Sequence, residues 1–200
     1  MTRRVPCEEA QRLWQEYRAG DIYALAHLMQ KFYPDLFSWG MRLHADRDFV
    51  KDCIQDTFLS LWKMQETISS VENVRAYLLV VLKSRILREL SKKNRIDHAT
   101  VSDEYAFAVE FSSDLRLIEE EHEVYQLRKL EQVMNQLPTR QKELIYLRFY
   151  QNLSFEQIAE VMQLGRQSVY NLLQKSLNSL RKHWAAGVLL VQILEGINRG

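Results

Sequence analysis

A helix predicted to begin near residue 166 carries a polar face that lacks acidic side chains. From Gln163 to Trp184 the sequence contains no aspartate or glutamate, although it contains several arginines and lysines. Arginine can form paired hydrogen bonds with guanine, and asparagine or glutamine can do so with adenine. Hydroxyl and lysine side chains suit phosphate contacts, which position a protein without reading sequence. The predicted duplex-reading set is Arg166, Gln167, Ser168, Tyr170, Asn171, Gln174 and Lys175.

The elements around this face have the pattern of a helix–turn–helix. Ser154 and Gln157 form a capping-box pattern that starts a short helix, and a turn follows at residues 163–165 before the longer helix. The predicted buried stripe of the longer helix is Val169, Leu173, Ser176, Leu177 and Leu180. Such a motif lays its second helix in the DNA major groove. The alternative is an ordinary helical hairpin with a solvated polar face.

A second group of basic residues lies toward the end of a long helix predicted over about 73–93. Glu89 is the acid among them, and Tyr77 lies near the start of the helix. Cations neutralise phosphates and aromatic rings stack on bases, so this segment suits single-stranded or partly opened nucleic acid. The candidate set is Lys83, Ser84, Arg85, Arg88, Lys92, Lys93 and Arg95. The alternative is a solvated helix end, because cations favour helix C-termini in any case.

The helix predicted over about 47–65 separates an apolar stripe from an acidic face. Val50, Ile54, Phe58 and Leu61 form the stripe that is predicted to be buried. The other face carries Asp52, Gln55, Asp56 and the apolar Leu59. An acidic face with an exposed leucine suits docking of a protein, whereas the simpler interpretation is a surface helix.

These elements imply an all-α chain of two helical domains. Only 6 Gly and 3 Pro occur in 200 residues, and apolar residues recur at helical spacing almost throughout. Helices are expected over about 7–19 and 22–32, and Pro34 is expected to open another. We predict a first domain over 1–96, an acidic linker over 97–122, and a second domain with an apolar tail over 123–200.

Several classes of protein are excluded by what the sequence lacks. The histidines are scattered and there is no Gly-rich phosphate loop or nucleophile motif, so we predict no enzyme, catalytic residue, cofactor or metal site. Cys7 and Cys53 are expected to be reduced intracellular thiols, although the sequence alone does not exclude a disulfide. There is no signal peptide and no apolar run of about 18 residues or more, so we expect a cytoplasmic protein without membrane insertion.

Three segments, taken together, resemble the extracytoplasmic-function sigma factors of the sigma-70 family. DRDFVKDCIQDTFLSLWK is similar to region 2.2 of that family, and NVRAYLLVVLKSRILRELSKKNR is similar to regions 2.3 and 2.4. The stretch from Leu137 to Lys182 resembles region 4. Two similar regions in the family's order are a far more specific signal than a lone helix–turn–helix.

The resemblance implies a role for each surface. Asp52, Gln55, Asp56 and Leu59 would dock core RNA polymerase. The basic 83–95 surface and the 66–74 loop would hold the opened −10 element, and the 166–175 face would read the −35 element. Implied partners are promoter DNA, core RNA polymerase and an anti-sigma factor. The tail over 184–200 is expected either to pack on its own domain or to bind an anti-sigma factor or a second copy.

The sequence departs from the family pattern at a few positions. The family often has asparagine where this chain has Ser84, aspartate at Arg88, and glycine at Gln163. A left-handed turn favours glycine, so some backbone strain is expected at Gln163. Two other interpretations remain open: a helix–turn–helix regulator that acts without core polymerase, and a helical adaptor that binds protein only.

Overall fold

Helices build both units of the chain. The computed structural model describes residues 6–96, 105, 107–110 and 121–183. These residues form helices and connecting segments without a β-strand, which confirms the predicted all-α class. The chain divides into two units after residue 105.

The described residues of the first unit form four helices, and aspartate side chains cap the starts of two of them. The helices are α1 (Cys7–Arg18), α2 (Ile22–Leu43), α3 (Arg47–Lys63) and α4 (Val74–Ile96). Asp21 Oδ1 accepts a hydrogen bond from the Tyr23 backbone N–H at 2.8 Å. Asp46 Oδ1 does the same for the N–H groups of Asp48 and Phe49, at 3.0 and 3.1 Å. These aspartates satisfy N–H groups that have no partner within the helix.

The core of the first unit forms around α2, which packs against α1, α3 and α4. Its largest fully buried side chains include Trp14, Trp39 and Phe32. The helix–helix contact between α2 and α3 is close at Gly40, where an added Cβ would lie 2.5 Å from Cγ1 of Val50. The predicted stripe of α3 is buried as expected: Val50, Ile54, Phe58 and Leu61 are each at most 4% exposed.

The expectation that Pro34 opens a new helix is wrong. Residues 22–43 form one continuous helix with Pro34 inside it. Pro34 lies on the exposed side, while Phe32 and Leu36 are buried on the other. The hydrogen bond that proline cannot donate is therefore lost on the side open to water, and burial of the apolar stripe keeps the helix continuous.

The two cysteines are free, and they lie in contrasting environments. Cys7 is exposed, whereas Cys53 is buried at 3% exposure, and burial raises the pKa of its thiol to about 11. At pH 8 we expect Cys7 to react fast with an aromatic disulfide reagent. Cys53 should react at least roughly 100-fold more slowly, because the thiolate is the reactive form. A Cys7→Ser chain should lose the fast phase, and a fast phase that persists would contradict this burial.

The described part of the second unit contains two helices followed by the helix–turn–helix. Its elements are α5 (Glu121–Asn135), α6 (Thr139–Ile145), α7 (Phe155–Met162) and α8 (Arg166–His183). A π-helical turn over Tyr146–Tyr150 follows α6. In that turn the Gln151 N–H donates to the Tyr146 carbonyl at 2.9 Å. The turn keeps Tyr146 buried, with its ring stacked 4.8 Å from Tyr150.

A short segment within the predicted linker packs into the second unit. Phe107 and Val109 are 2% and 1% exposed, and the Phe107 ring lies 5.6 Å from that of Tyr146. The Asn135 amide donates to the Val109 carbonyl at 2.8 Å and accepts from its N–H at 3.0 Å. The alternation of apolar residues at 107 and 109 is the signal for this packing. The remainder of the predicted linker and the tail beyond His183 lie outside the described residues.

Candidate nucleic-acid interface

The turn between α7 and α8 is fixed at both of its ends. The predicted capping box is present: the Gln157 N–H donates to Ser154 Oγ at 3.3 Å, and the Ser154 N–H donates to Gln157 Oε1 at 2.9 Å. At the other end Gln163 adopts the left-handed conformation, with φ 52° and ψ 50°. The Leu164 N–H then donates to the Ala159 carbonyl at 2.9 Å. These contacts set the direction in which α8 leaves the turn.

Replacing Gln163 with glycine is expected to stabilise the second unit by about 0.5–1 kcal/mol. A side chain in the left-handed region costs roughly 1–2 kcal/mol, and the added backbone entropy of glycine offsets part of the gain. Urea unfolding of the full chain measures the change. Gln163→Ala is the matched control because it retains the Cβ, and an equal gain from alanine would rule out backbone strain as the cause.

The acid-free face of α8 is open to solvent. Val169, Ser176 and Leu180 are buried, while Leu173 and Leu177 are half-buried. These five residues form the inward-facing stripe that the sequence predicts. Every residue of the predicted duplex-reading set is exposed: Arg166, Gln167, Ser168, Tyr170, Asn171, Gln174 and Lys175. All seven side chains are therefore accessible, on a solvent-facing side of α8 that spans about 200° around the helix axis.

Contacts on this face orient the side chains without burying them. Gln167 Nε2 donates to Asn171 Oδ1 at 3.2 Å, and the Tyr170 ring lies 4.5 Å from the ring of Phe155. Arg166 pairs with Glu156 at 3.4 Å, and both side chains are largely exposed. Hydrogen bonds from the backbone and from Ser154, with the charge of Arg166, lower the pKa of Glu156. Such an exposed ion pair is weak, so Arg166 can exchange Glu156 for a nucleic-acid partner.

The basic residues of α4 are divided between two flanks of the helix. Positions 83 and 85 lie about 200° apart around the axis. Lys83 donates to the Tyr105 hydroxyl at 3.0 Å and lies 4.7 Å from the centre of that ring. On the other flank, Arg85 pairs with Asp56 of α3 at 3.3 Å. Lys92 pairs with Glu89. Arg88 is exposed and Ser84 is half-buried. The side chains of Lys93 and Arg95 are not among those that the structure describes.

The acidic face of α3 is a single exposed stripe. Asp52, Gln55, Asp56 and Leu59 are all exposed, and their spacing places them on one side of the helix. The structure adds Trp62, which is 53% exposed and lies three residues beyond Leu59. Its spacing is the signal that could have placed it on this face. We define these five residues as the α3 docking face.

Residues of α1 that the sequence does not single out hold the loop between α3 and α4. Gln11 Nε2 donates to the Val71 carbonyl at 2.9 Å, and Arg18 Nε donates to the Ile68 carbonyl at 3.0 Å. Trp14 Nε1 donates to the Ser69 carbonyl at 3.3 Å. These partners are separated by 50 residues or more, so no local sequence pattern reveals them. The loop predicted to hold the opened DNA strand thus has a fixed backbone.

The described ranges contain no membrane-spanning helix and no metal-binding cluster. Among these residues no helix has the length and apolar character needed to cross a bilayer. No group of three or more His, Cys, Asp and Glu side chains there has a metal-binding arrangement.

Comparison with known sequences identifies two family regions in this chain. The family model for sigma-70 region 2 matches residues 28–96, and that for sigma-70 region 4 matches residues 127–180. RNA polymerase sigma factor SigV of Bacillus subtilis (strain 168) is 27% identical over 152 residues, which cover 76% of this chain and 83% of SigV. RNA polymerase sigma factor NccH of Alcaligenes xylosoxydans xylosoxydans is 26% identical over 147 residues, covering 73% and 77% of the two chains.

Solved structures with the same fold include two protein complexes. RpoE of Bartonella quintana, solved with the anti-sigma factor NepR, has a TM-score of 0.57 at 17% identity and covers 81% of this chain and 97% of its own. CnrH, solved with the cytosolic domain of CnrY, has a TM-score of 0.59 at 17% identity and covers 87% and 96%. At this identity the likeness concerns the fold.

Proposed function

This chain belongs to the sigma-70 family, in its extracytoplasmic-function group, and from that membership we propose which residues carry each step of its work. It is an RNA polymerase sigma factor, which binds core RNA polymerase and directs recognition and melting of promoter DNA. The family consists of transcription initiation factors and not of enzymes.

We assign reading of the −35 element to the exposed face of α8, residues 166–175. The observation that carries this assignment is that an acid-free set of Arg, Gln and Asn side chains lies exposed on the second helix of a capped helix–turn–helix. Side chains near the N-terminus of such a helix reach the base edges in the major groove. Among the Arg, Gln and Asn side chains of this face, Arg166, Gln167 and Asn171 lie nearest to that end. They are the proposed base readers.

We assign the melted −10 element to the basic end of α4 and the 66–74 loop. The loop backbone is held by α1, which suits a surface that must receive an unstacked base. Extruding a base costs a few kcal/mol, and a preformed site recovers more of that cost than a mobile one. Nearby cations neutralise the phosphates of the single strand.

We assign core RNA polymerase binding to the α3 docking face. Asp52, Gln55 and Asp56 supply acceptors, and Leu59 and Trp62 supply exposed apolar area beside them. An apolar centre with a polar rim is the usual composition of a protein interface. A helix–turn–helix regulator acting without polymerase is not favoured, because the chain also matches region 2 of the sigma-70 family.

Run-off transcription tests the sigma-factor function of the whole chain directly. Core RNA polymerase, a promoter template and the purified chain are combined, and each component is omitted in turn. We expect specific transcripts only when all three are present. Failure of the chain to bind core polymerase would refute the sigma-factor function, and unchanged core affinity of an Asp56→Ala chain would refute the assignment of the α3 docking face.

We further propose regulation by an anti-sigma protein, and action in the cytoplasm where core polymerase works. The proposal is motivated by RpoE, which was solved in complex with an anti-sigma factor. The 184–200 tail lies outside the described residues and is predicted either to pack on its own domain or to dock a second copy or an anti-sigma factor. If it docks an anti-sigma factor, a chain ending at residue 183 should direct run-off transcription that a purified inhibitor no longer blocks. Equal inhibition of both chains would exclude the tail.

A further inference from the structure

We infer that Arg85 is a positioning residue for polymerase binding, and not a ligand of the −10 DNA as its place in the basic end of α4 suggests. The inference rests on the proposed role of the α3 docking face. It assigns to Arg85 the task of holding Asp56 and the adjoining turn of α3 in the geometry that core polymerase meets.

The guanidinium of Arg85 is engaged with α3 at two points. Nη1 donates to Asp56 Oδ2 at 3.3 Å, and Nη2 donates to Ser60 Oγ at 2.5 Å. The Ser60 hydroxyl in turn donates to the backbone carbonyl of Asp56 at 2.8 Å. The side chain and the backbone of Asp56 are therefore both tied to one cation.

Burial separates the roles of the two charged partners. The Arg85 side chain is 20% exposed, whereas that of Asp56 is 57% exposed. The cation thus lies largely beneath the surface, and the carboxylate stands out from it. A partner that docks on α3 meets Asp56 directly, while a DNA phosphate would have to displace α3 groups to reach the guanidinium.

The chemistry of arginine suits this positioning role. A planar guanidinium presents several donors in a fixed fork, so one side chain can bridge a carboxylate and a hydroxyl on successive turns of a helix. Lysine carries the same charge but lacks the fork. The Arg85→Lys substitution therefore keeps the positive charge but removes the bridging geometry.

The test measures the affinity of the full-length chain for core RNA polymerase by fluorescence titration. We expect Arg85→Ala to weaken binding about tenfold, the effect of losing one hydrogen bond to a charged group. Arg85→Lys should recover only part of this loss. Arg12→Ala is the matched comparison, because Arg12 is an exposed arginine of α1 outside the proposed binding surfaces and should retain core affinity.

A double-substitution cycle separates positioning from general loss of structure. In an Asp56→Ala background, Arg85→Ala should have little further effect on core affinity, because its target is already gone. If Arg85→Ala merely unfolded the helix pair, it would weaken binding by the same factor in both backgrounds. Equal factors would overturn the inference.

Salt dependence of promoter binding by the assembled holoenzyme provides a second readout. A phosphate contact contributes roughly one unit to the slope of log affinity against log salt. Arg85→Ala should leave this slope unchanged, and a slope reduced by about one would overturn the inference by showing a DNA contact. If Asp52→Ala and Asp56→Ala both retain full core affinity, the proposed docking face fails, and the role of Arg85 fails with it. If they weaken binding and Arg85→Ala does not, only the inference about Arg85 fails.

Discussion

Replacing Asn171 with alanine is expected to lower holoenzyme affinity for −35 duplex DNA by about 10- to 100-fold, since a paired contact to a base contributes roughly 1–3 kcal/mol. Asn171 is exposed on the early part of α8, and the Gln167 amide donates to its Oδ1 at 3.2 Å. That hydrogen bond leaves the Asn171 amide N–H groups able to point toward a base. Fluorescence anisotropy with labelled duplexes, at one stated salt concentration, measures the loss.

Asn178 provides a matched control for this prediction on the same helix. It is the same residue type, it is exposed, and it lies two turns further toward the C-terminus of α8. Because base contacts concentrate near the start of a recognition helix, Asn178→Ala should change affinity less than about twofold. Equal losses from both substitutions would contradict the assignment of the reading face. So would a fall in core polymerase affinity for Asn171→Ala, since that activity is assigned to the other unit.

Asp35→Ala is expected to destabilise the first unit by about 3 kcal/mol, which lowers its Tm by roughly 10–20 °C. Asp35 on α2 pairs with Arg75 on α4 at 2.8 Å, and the two side chains are 22% and 17% exposed. Removing the carboxylate leaves a largely buried guanidinium without that counter-charge. Thermal unfolding of the full chain, followed by tryptophan fluorescence, reports this unit through Trp14 and Trp39 of its core.

The reciprocal control replaces both partners of this pair. Apolar residues of similar volume in place of a buried ion pair are often neutral, so Asp35→Leu combined with Arg75→Met should recover most of the lost stability. Asp48→Ala is a second control, because its pair with Lys51 at 2.8 Å is highly exposed. Exposed pairs contribute little, so that substitution should leave the Tm nearly unchanged. A loss that the double substitution fails to recover would show that Asp35 stabilises the fold through other contacts.

Local patterns predicted much of the fold because they depend on neighbouring residues. Ser154 caps α7 where the sequence places it, in a capping box with Gln157. The buried stripe of α3 and the open face of α8 follow from helical periodicity. The prediction at Pro34 was wrong because burial of Phe32 and Leu36 on the same helix outweighs the preference of proline for the first turn of a helix.

By itself, the sequence determined the helical class, the two family regions and the residues that face solvent on α3 and α8, because spacing along a helix sets which side chains share a face. Only the tertiary structure decided which partners the charged and polar side chains of these helices contact. It joins Arg85 to Asp56 across 29 positions and ties α1 to the loop after α3. Whether a cation faces DNA or a neighbouring helix depends on which helices pack together, and a charge pattern along one helix carries no information about that packing.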